Sequence, residues 1–218
     1  MRPTPARIAL VTGGSRGIGA DVARLLADDD THIIVNYRER ADDAESIAGA
    51  IRDAGGHAST IRADISDDLE SRAMIDAIAA RFGRLDALIL NTSGGLPAGA
   101  DPGQAMRLNR DGQRRLALMA VPLMPVGGRI VFVTSHQAHF FPTKAVPKGY
   151  TAVAASRRAG ETALYAMRAE FDRAGVHFSV VSGDMADGTF AGAIVNAANA
   201  LNPSRMVFVG RADYLMTA

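Results

Sequence analysis

The chain has 218 residues, 48% hydrophobic and 22% charged, with a net charge of +1. That suffices to bury the core of one α/β domain and is too nearly neutral to gather nucleic acid or an anionic membrane. The absence of cysteine excludes disulfides, thiolate catalysis and a thiolate metal site, and no metal site is expected.

No apolar run reaches the ~20 residues of a membrane span. The N-terminus runs straight into an apolar strand, leaving no room for a secretory signal, so a cytoplasmic setting is expected. Strands are expected at Ile8–Val11, His32–Asn36, Ser59–Arg62, Leu85–Leu90, Arg129–Thr134, His177–Ser182 and Met206–Val209. Helical patterns fall between them at about 17–28, 40–54, 68–82, 103–122, 152–174 and 190–200. The strands are apolar nearly throughout and do not alternate, as happens when helices cover both faces of a parallel sheet. One doubly wound α/β domain over residues 1–218 follows, its sheet mostly parallel with about seven strands. Its site is expected at the carboxyl ends of the strands, where the irregular segments Pro97–Gly103 and His136–Gly149 should overhang.

The first strand leads into Thr12-Gly13-Gly14-Ser15-Arg16-Gly17-Ile18-Gly19 and then into a helix, which is the context a dinucleotide-binding turn requires. Gly13 suits a tight turn, Gly17 lets a pyrophosphate approach the backbone, and Gly19 lets the helix lie against the strand. Ser15, Arg16 and Ile18 complete the loop, and the helix N-terminus faces the phosphates. The second strand ends Asn36-Tyr37-Arg38, with no carboxylate before Glu39. An acidic tip would bind a ribose 2′-hydroxyl and repel a 2′-phosphate. Arg38 and Arg16 are instead expected to clasp a phosphate, the alternative being two solvated arginines beside acidic neighbours, so NADP(H) is expected over NAD(H).

Asp64 and Ile65, at the end of the third strand, are placed to meet an adenine. Asp64 is alternatively a helix cap, a role that Ser66 or Asp67 can also fill. Asn91, Thr92, Ser93 and Gly94 end the fourth strand, where small residues leave room for a ribose. Thr189 lies beyond the sixth strand, near a nicotinamide.

Taken together, these residues resemble the short-chain dehydrogenase/reductase family over essentially the whole chain. The turn at 12–19 matches the family's glycine motif position by position, and Asn91-Thr92-Ser93-Gly94 is similar to its Asn-Asn-Ala-Gly. The resemblance implies a single Rossmann domain with a seven-stranded parallel sheet. It implies hydride transfer between a nicotinamide and a small carbonyl or alcohol substrate. Asn109 resembles the asparagine that holds a proton-relay water, and Ser135 the serine that orients substrate. The family's assembly across two long helices implies a homodimer or homotetramer. Leu116, Leu118, Met119, Ala159, Ala163, Leu164 and Met167 make those helices apolar beyond one stripe.

The catalytic Tyr-x-x-x-Lys is where the chain departs. The matching stretch is Val153-Ala154-Ala155-Ser156-Arg157, with valine for the acid and arginine for the lysine. A phenol needs a nearby cation to exchange protons near neutrality. Tyr150 is the tyrosine before this helix, and Arg157 the cation that also binds ribose, though about 10 Å of helix lies between them. His136 and His139 are alternative acids, and Lys148 an alternative cation. A nucleotide-binding protein without turnover is the competing reading. A hydrolase built on Ser135 lacks a nucleophile elbow. Between the sixth and last strands only Phe190–Arg205 intervene, so a small substrate lid is expected.

Overall fold

The aliphatic runs bury themselves on both faces. The computed structural model describes residues 5–91, 99, 101–184 and 187–210. Among these, strands β1 (Arg7–Val11), β2 (Thr31–Tyr37), β3 (His57–Arg62), β4 (Ala87–Leu90), β5 (Arg129–Ser135), β6 (His177–Gly183) and β7 (Met206–Val209) form one sheet. All pairings are parallel, in the order β3-β2-β1-β4-β5-β6-β7. Helices α1 (Gly17–Leu26), α2 (Ala41–Asp53) and α9 (Phe190–Asn199) cover one face, against Val11, Val35, Ile89, Val133 and Val181. Helices α3 (Asp68–Phe82), α5 (Gln113–Ala120), α7 (Thr151–Ala166) and α8 (Arg168–Ala174) cover the other, against Leu10, Ile34, Leu88, Phe132 and Val180. Two short helices remain, α4 (Pro102–Met106) and α6 (His136–His139). Among the described residues no helix is long and apolar enough to cross a membrane.

The chain leaves β3 at one edge and re-enters the sheet at β4, on the far side of β1. At such a reversal the loops after neighbouring strands part and open a crevice at the carboxyl ends. Hydrogen bonds stitch its floor. Thr12 Oγ1 donates to the Ile89 carbonyl and accepts from Asn91 N–H, both at 3.0 Å. Asn91 Nδ2 donates to the Thr12 carbonyl at 3.2 Å.

Two long helices expected from the sequence are broken. The 103–122 helix consists of α4, a π-helical stretch Arg107–Gly112, and α5. A Cβ on Gly112 would stand 2.4 Å from the Ile65 carbonyl, so glycine alone admits this approach. The 152–174 helix is interrupted at Met167, which ends α7 and starts α8. That change of direction accompanies burial of both Met167 and Phe171. The segment 136–149, expected to be irregular, contains α6 and a 3₁₀ turn at Lys148–Tyr150. Leu116, Leu164 and Met167 lie in the chain's own core. Of the residues that pointed to a second copy, Leu118 is exposed, and Met119, Ala159 and Ala163 are half-buried.

Candidate active site

The crevice beside β1 is a cleft of about 340 Å³. Gly13, Ser15, Arg16, Gly17, Ile18 and Gly19 make one wall, Asn36, Tyr37 and Arg38 a second, and Asp64 and Ile65 a third, with Asn91 among the lining residues. Glu39, Arg40, Ala63 and Leu108 also line it and were not anticipated. Thr92, Ser93 and Gly94 lie outside the described residues. Thr189 is not part of this wall. It is exposed, and its N–H and hydroxyl both donate to Asp187 Oδ1, at 2.8 and 2.6 Å.

The glycine turn takes its shape from positive φ at Gly13 (62°) and Gly17 (51°). A Cβ on Gly19 would lie 2.3 Å from the Gly13 carbonyl and 2.6 Å from Asn91 Nδ2, so α1 can approach only without a side chain there. Asn36 fixes the turn from the next strand: its carbonyl accepts from Gly14 N–H at 3.0 Å, and its Nδ2 donates to the Ala63 carbonyl at 3.1 Å. The N-terminus of α1 carries no side-chain cap and no acidic residue in its first turn. Helix α3, by contrast, is capped by Asp67, which accepts from Leu69 and Glu70 N–H. An uncapped helix end leaves backbone donors and positive dipole charge for an anion. The donor set and the glycine-lined shape therefore fit the pyrophosphate of a dinucleotide.

At the mouth, Arg38 meets Glu39 at 2.8 Å and Asp64 at 3.7 Å. Arg16 is exposed and forms no ion pair among the described residues. Asp64 is not the helix cap. Its Oδ1 accepts from Ser66 N–H and Oγ–H, at 2.8 and 2.7 Å, which shapes the loop.

Around the end of β5, Ser135 caps α6 by accepting from Ala138 N–H at 3.3 Å, and its Oγ lies 3.4 Å from the Tyr150 hydroxyl. Tyr150 ends the 3₁₀ turn and precedes α7, so its ring turns inward from the helix entrance. Arg157 is 3% exposed, and its Nη2 donates to the Val133 carbonyl at 3.2 Å. Although two helical turns separate Tyr150 from Arg157, both side chains reach β5 within two residues of each other. Two strand residues span roughly 7 Å.

Asn109 is fully buried in the π-helical stretch. Its Nδ2 donates to Ser156 Oγ at 2.9 Å, and among the described residues its Oδ1 has no hydrogen-bond partner. A Cβ on Gly160 would lie 2.0 Å from the Asn109 carbonyl. Gly160 and Ser156 thus seat Asn109 against α7. Neither was anticipated, although a glycine inside a helical pattern signals close packing. His136 has both ring nitrogens engaged: Nε2 donates to the Val209 carbonyl and Nδ1 accepts from Ser182 Oγ, each at 2.9 Å. His139 Nδ1 donates to Glu161 at 2.9 Å. Lys148 is exposed, and its side chain forms no ion pair among the described residues.

This strand order, with a glycine turn at the point where it reverses, defines a Rossmann-like α/β protein. The chain belongs to the short chain dehydrogenase family, whose profile matches residues 7–200. It is 32% identical over 193 residues to 1-cyclohexenylcarbonyl-CoA reductase of Streptomyces collinus, covering 83% of this chain and 65% of that protein. It is 30% identical over 200 residues to an NADPH-dependent aldehyde reductase-like chloroplastic protein of Arabidopsis thaliana, covering 83% and 72%. The crystal structure of a short chain dehydrogenase from Burkholderia cenocepacia in complex with NADP superposes with a TM-score of 0.74 at 31% identity, covering 88% of this chain and 82% of that one. The chain spans between 37% and 65% of the length of the first curated relatives it matches.

Proposed function

We propose that the protein is an NADP(H)-dependent oxidoreductase acting on a small carbonyl or alcohol. The observation that carries this reading is the Tyr150 hydroxyl 3.4 Å from Ser135 Oγ, a proton donor and an orienting hydroxyl together despite the altered motif. Gly13, Ser15, Arg16, Gly17, Ile18 and Gly19 would hold the pyrophosphate. Arg16 and Arg38 would hold a 2′-phosphate, Asp64 and Ile65 the adenine, and Arg157 the nicotinamide ribose. Asn91 with Thr92, Ser93 and Gly94 would flank a ribose, and Thr189 the nicotinamide end. When bound, the nicotinamide supplies or accepts the hydride.

The protein's own part is proton chemistry. Ser135 donates to the substrate oxygen and orients it. Tyr150 gives that oxygen a proton in reduction and removes one in oxidation. Arg157, whose Nη2 meets the Val133 carbonyl two residues before Ser135, brings a positive charge to the end of β5. Unlike lysine it cannot lose its charge. The unpartnered Oδ1 of Asn109 is suited to accept from a water behind the ribose.

Steady-state consumption of NADPH and of NADH over a panel of aldehydes and ketones tests the reading. NADPH-dependent turnover of at least one carbonyl is expected. Tight NADPH binding with no turnover across the panel would instead support a nucleotide-binding protein without chemistry.

A further inference from the structure

Arg157 is a buried cation without a carboxylate. Among the described residues its Nε has no hydrogen-bond partner and no Asp or Glu oxygen lies within 4.0 Å of it. Four residues on, at the spacing from which helical side chains meet, stands Glu161, whose side chain is 0% exposed. Its carboxylate is turned elsewhere: His139 Nδ1 donates to it at 2.9 Å and Arg158 Nη1 at 2.8 Å. The imidazole of His139 packs edge-on against the stacked pair of Phe140 and Phe208, with ring centroids at 4.8 and 5.3 Å. A buried carboxylate must be satisfied by donors. Here α6 and the neighbouring arginine satisfy it, leaving Arg157 out.

We propose that His139 and Arg158 hold the Glu161 carboxylate away from Arg157, so that Arg157 keeps an unneutralised charge at the end of β5. His139 and Glu161 are then positioning residues that act on the reaction through Arg157, which rests on the roles given above to Tyr150 and Arg157. The charged or titratable groups facing Glu161 are His139 from α6, and Arg158 and Tyr165 from α7. Removing the His139 donor frees one carboxylate oxygen, and the nearest unpaired cation along the helix is Arg157. An ion pair between them would cancel the positive charge that Arg157 brings to the end of β5, beside the Tyr150 hydroxyl. A second change that removes the carboxylate would restore it.

Tetranitromethane nitrates phenolate, and the chain has no cysteine to compete for it. Peptide mass mapping separates Tyr150 from Tyr37, Tyr165 and Tyr214. At one mildly alkaline pH, His139→Leu is expected to slow nitration of Tyr150 about tenfold, the effect of losing one nearby opposite charge. The double variant His139→Leu/Glu161→Gln is expected to return it to within about twofold of the wild type. Where a carbonyl is turned over, the alkaline limb of the kcat profile for reduction should rise by about one pH unit in the single variant and return in the double.

A single variant nitrated at the wild-type rate, or a double variant as slow as the single, would overturn the proposal. Merely structural damage at His139 predicts the second of these. Should His139→Leu fail to fold, Arg158→Met removes the other donor and carries the same expectations. Undiminished turnover in Tyr150→Phe would overturn the catalytic reading instead, and the nitration comparison would still decide this one.

Discussion

At the level of single residues, the glycine turn was legible because each glycine answers a steric demand written in the chain. Gly13 and Gly17 adopt positive φ, and Gly19 has no space for a Cβ. The arginines were legible as charge but not as availability. Arg38 is engaged by Glu39 and Asp64, whereas Arg16 carries no ion pair among the described residues. Arg16 is therefore expected to bind a 2′-phosphate more strongly, since Arg38 must first share or surrender two carboxylates. In fluorescence titrations Arg16→Ala should lose more NADPH affinity than Arg38→Ala, and neither should lose comparable NADH affinity. A larger loss from Arg38→Ala would show that its neighbours orient it and do not neutralise it. Tyr150 was nameable from sequence as the tyrosine before the helix. Its approach to Ser135 was not, because that depends on a 3₁₀ turn at Lys148–Tyr150 without a strong local signature.

Whole elements were legible where burial sets a period and illegible where backbones touch. All seven strands were expected within about two residues of where they lie, since the apolar runs of the central strands are buried on both faces and the edge strands β3 and β7 carry shorter β-branched or apolar stretches. The breaks in two helices were not. The π-helical stretch at Arg107–Gly112 answers contacts with Ile65 and with α7 that are distant in sequence. Gly160 shows the same limit. It looks like a flaw in an otherwise good helix, yet α7 reaches Asn109 only because Gly160 has no side chain. Gly160→Ala would place a methyl 2.0 Å from the Asn109 carbonyl, and overpacking of this kind costs about 1–3 kcal/mol. Urea unfolding should show that loss with an unchanged m-value. A stability equal to the wild type would mean that the two elements part easily, and that Asn109 is not held where the site needs it.

In the whole molecule, stability and chemistry are divided between the two ends of one sheet. At the amino end, Arg7 Nη1 donates to Asn199 Oδ1 at 2.6 Å, and Arg129 Nη2 donates to the Ala200 carbonyl at 2.9 Å, so both secure the end of α9. At the carboxyl end the strand order reverses beside β1, and the loops part around the cleft. That division follows from strand–helix alternation and could be read from the chain. The pairing of Ser135 with Tyr150, and of His139 with Glu161, needed the packing of α6 on α7. The central claim is that Tyr150 carries the proton chemistry in place of the missing tyrosine at Val153. Tyr150→Phe removes one hydroxyl with little change of shape, and positioned proton transfer is worth roughly 10²–10⁴-fold. The most direct measurement is kcat for NADPH-dependent reduction of the best carbonyl substrate in wild type and Tyr150→Phe, with NADPH affinity measured alongside. A fall in kcat of at least about 100-fold with NADPH affinity retained is predicted; an unchanged kcat would contradict it.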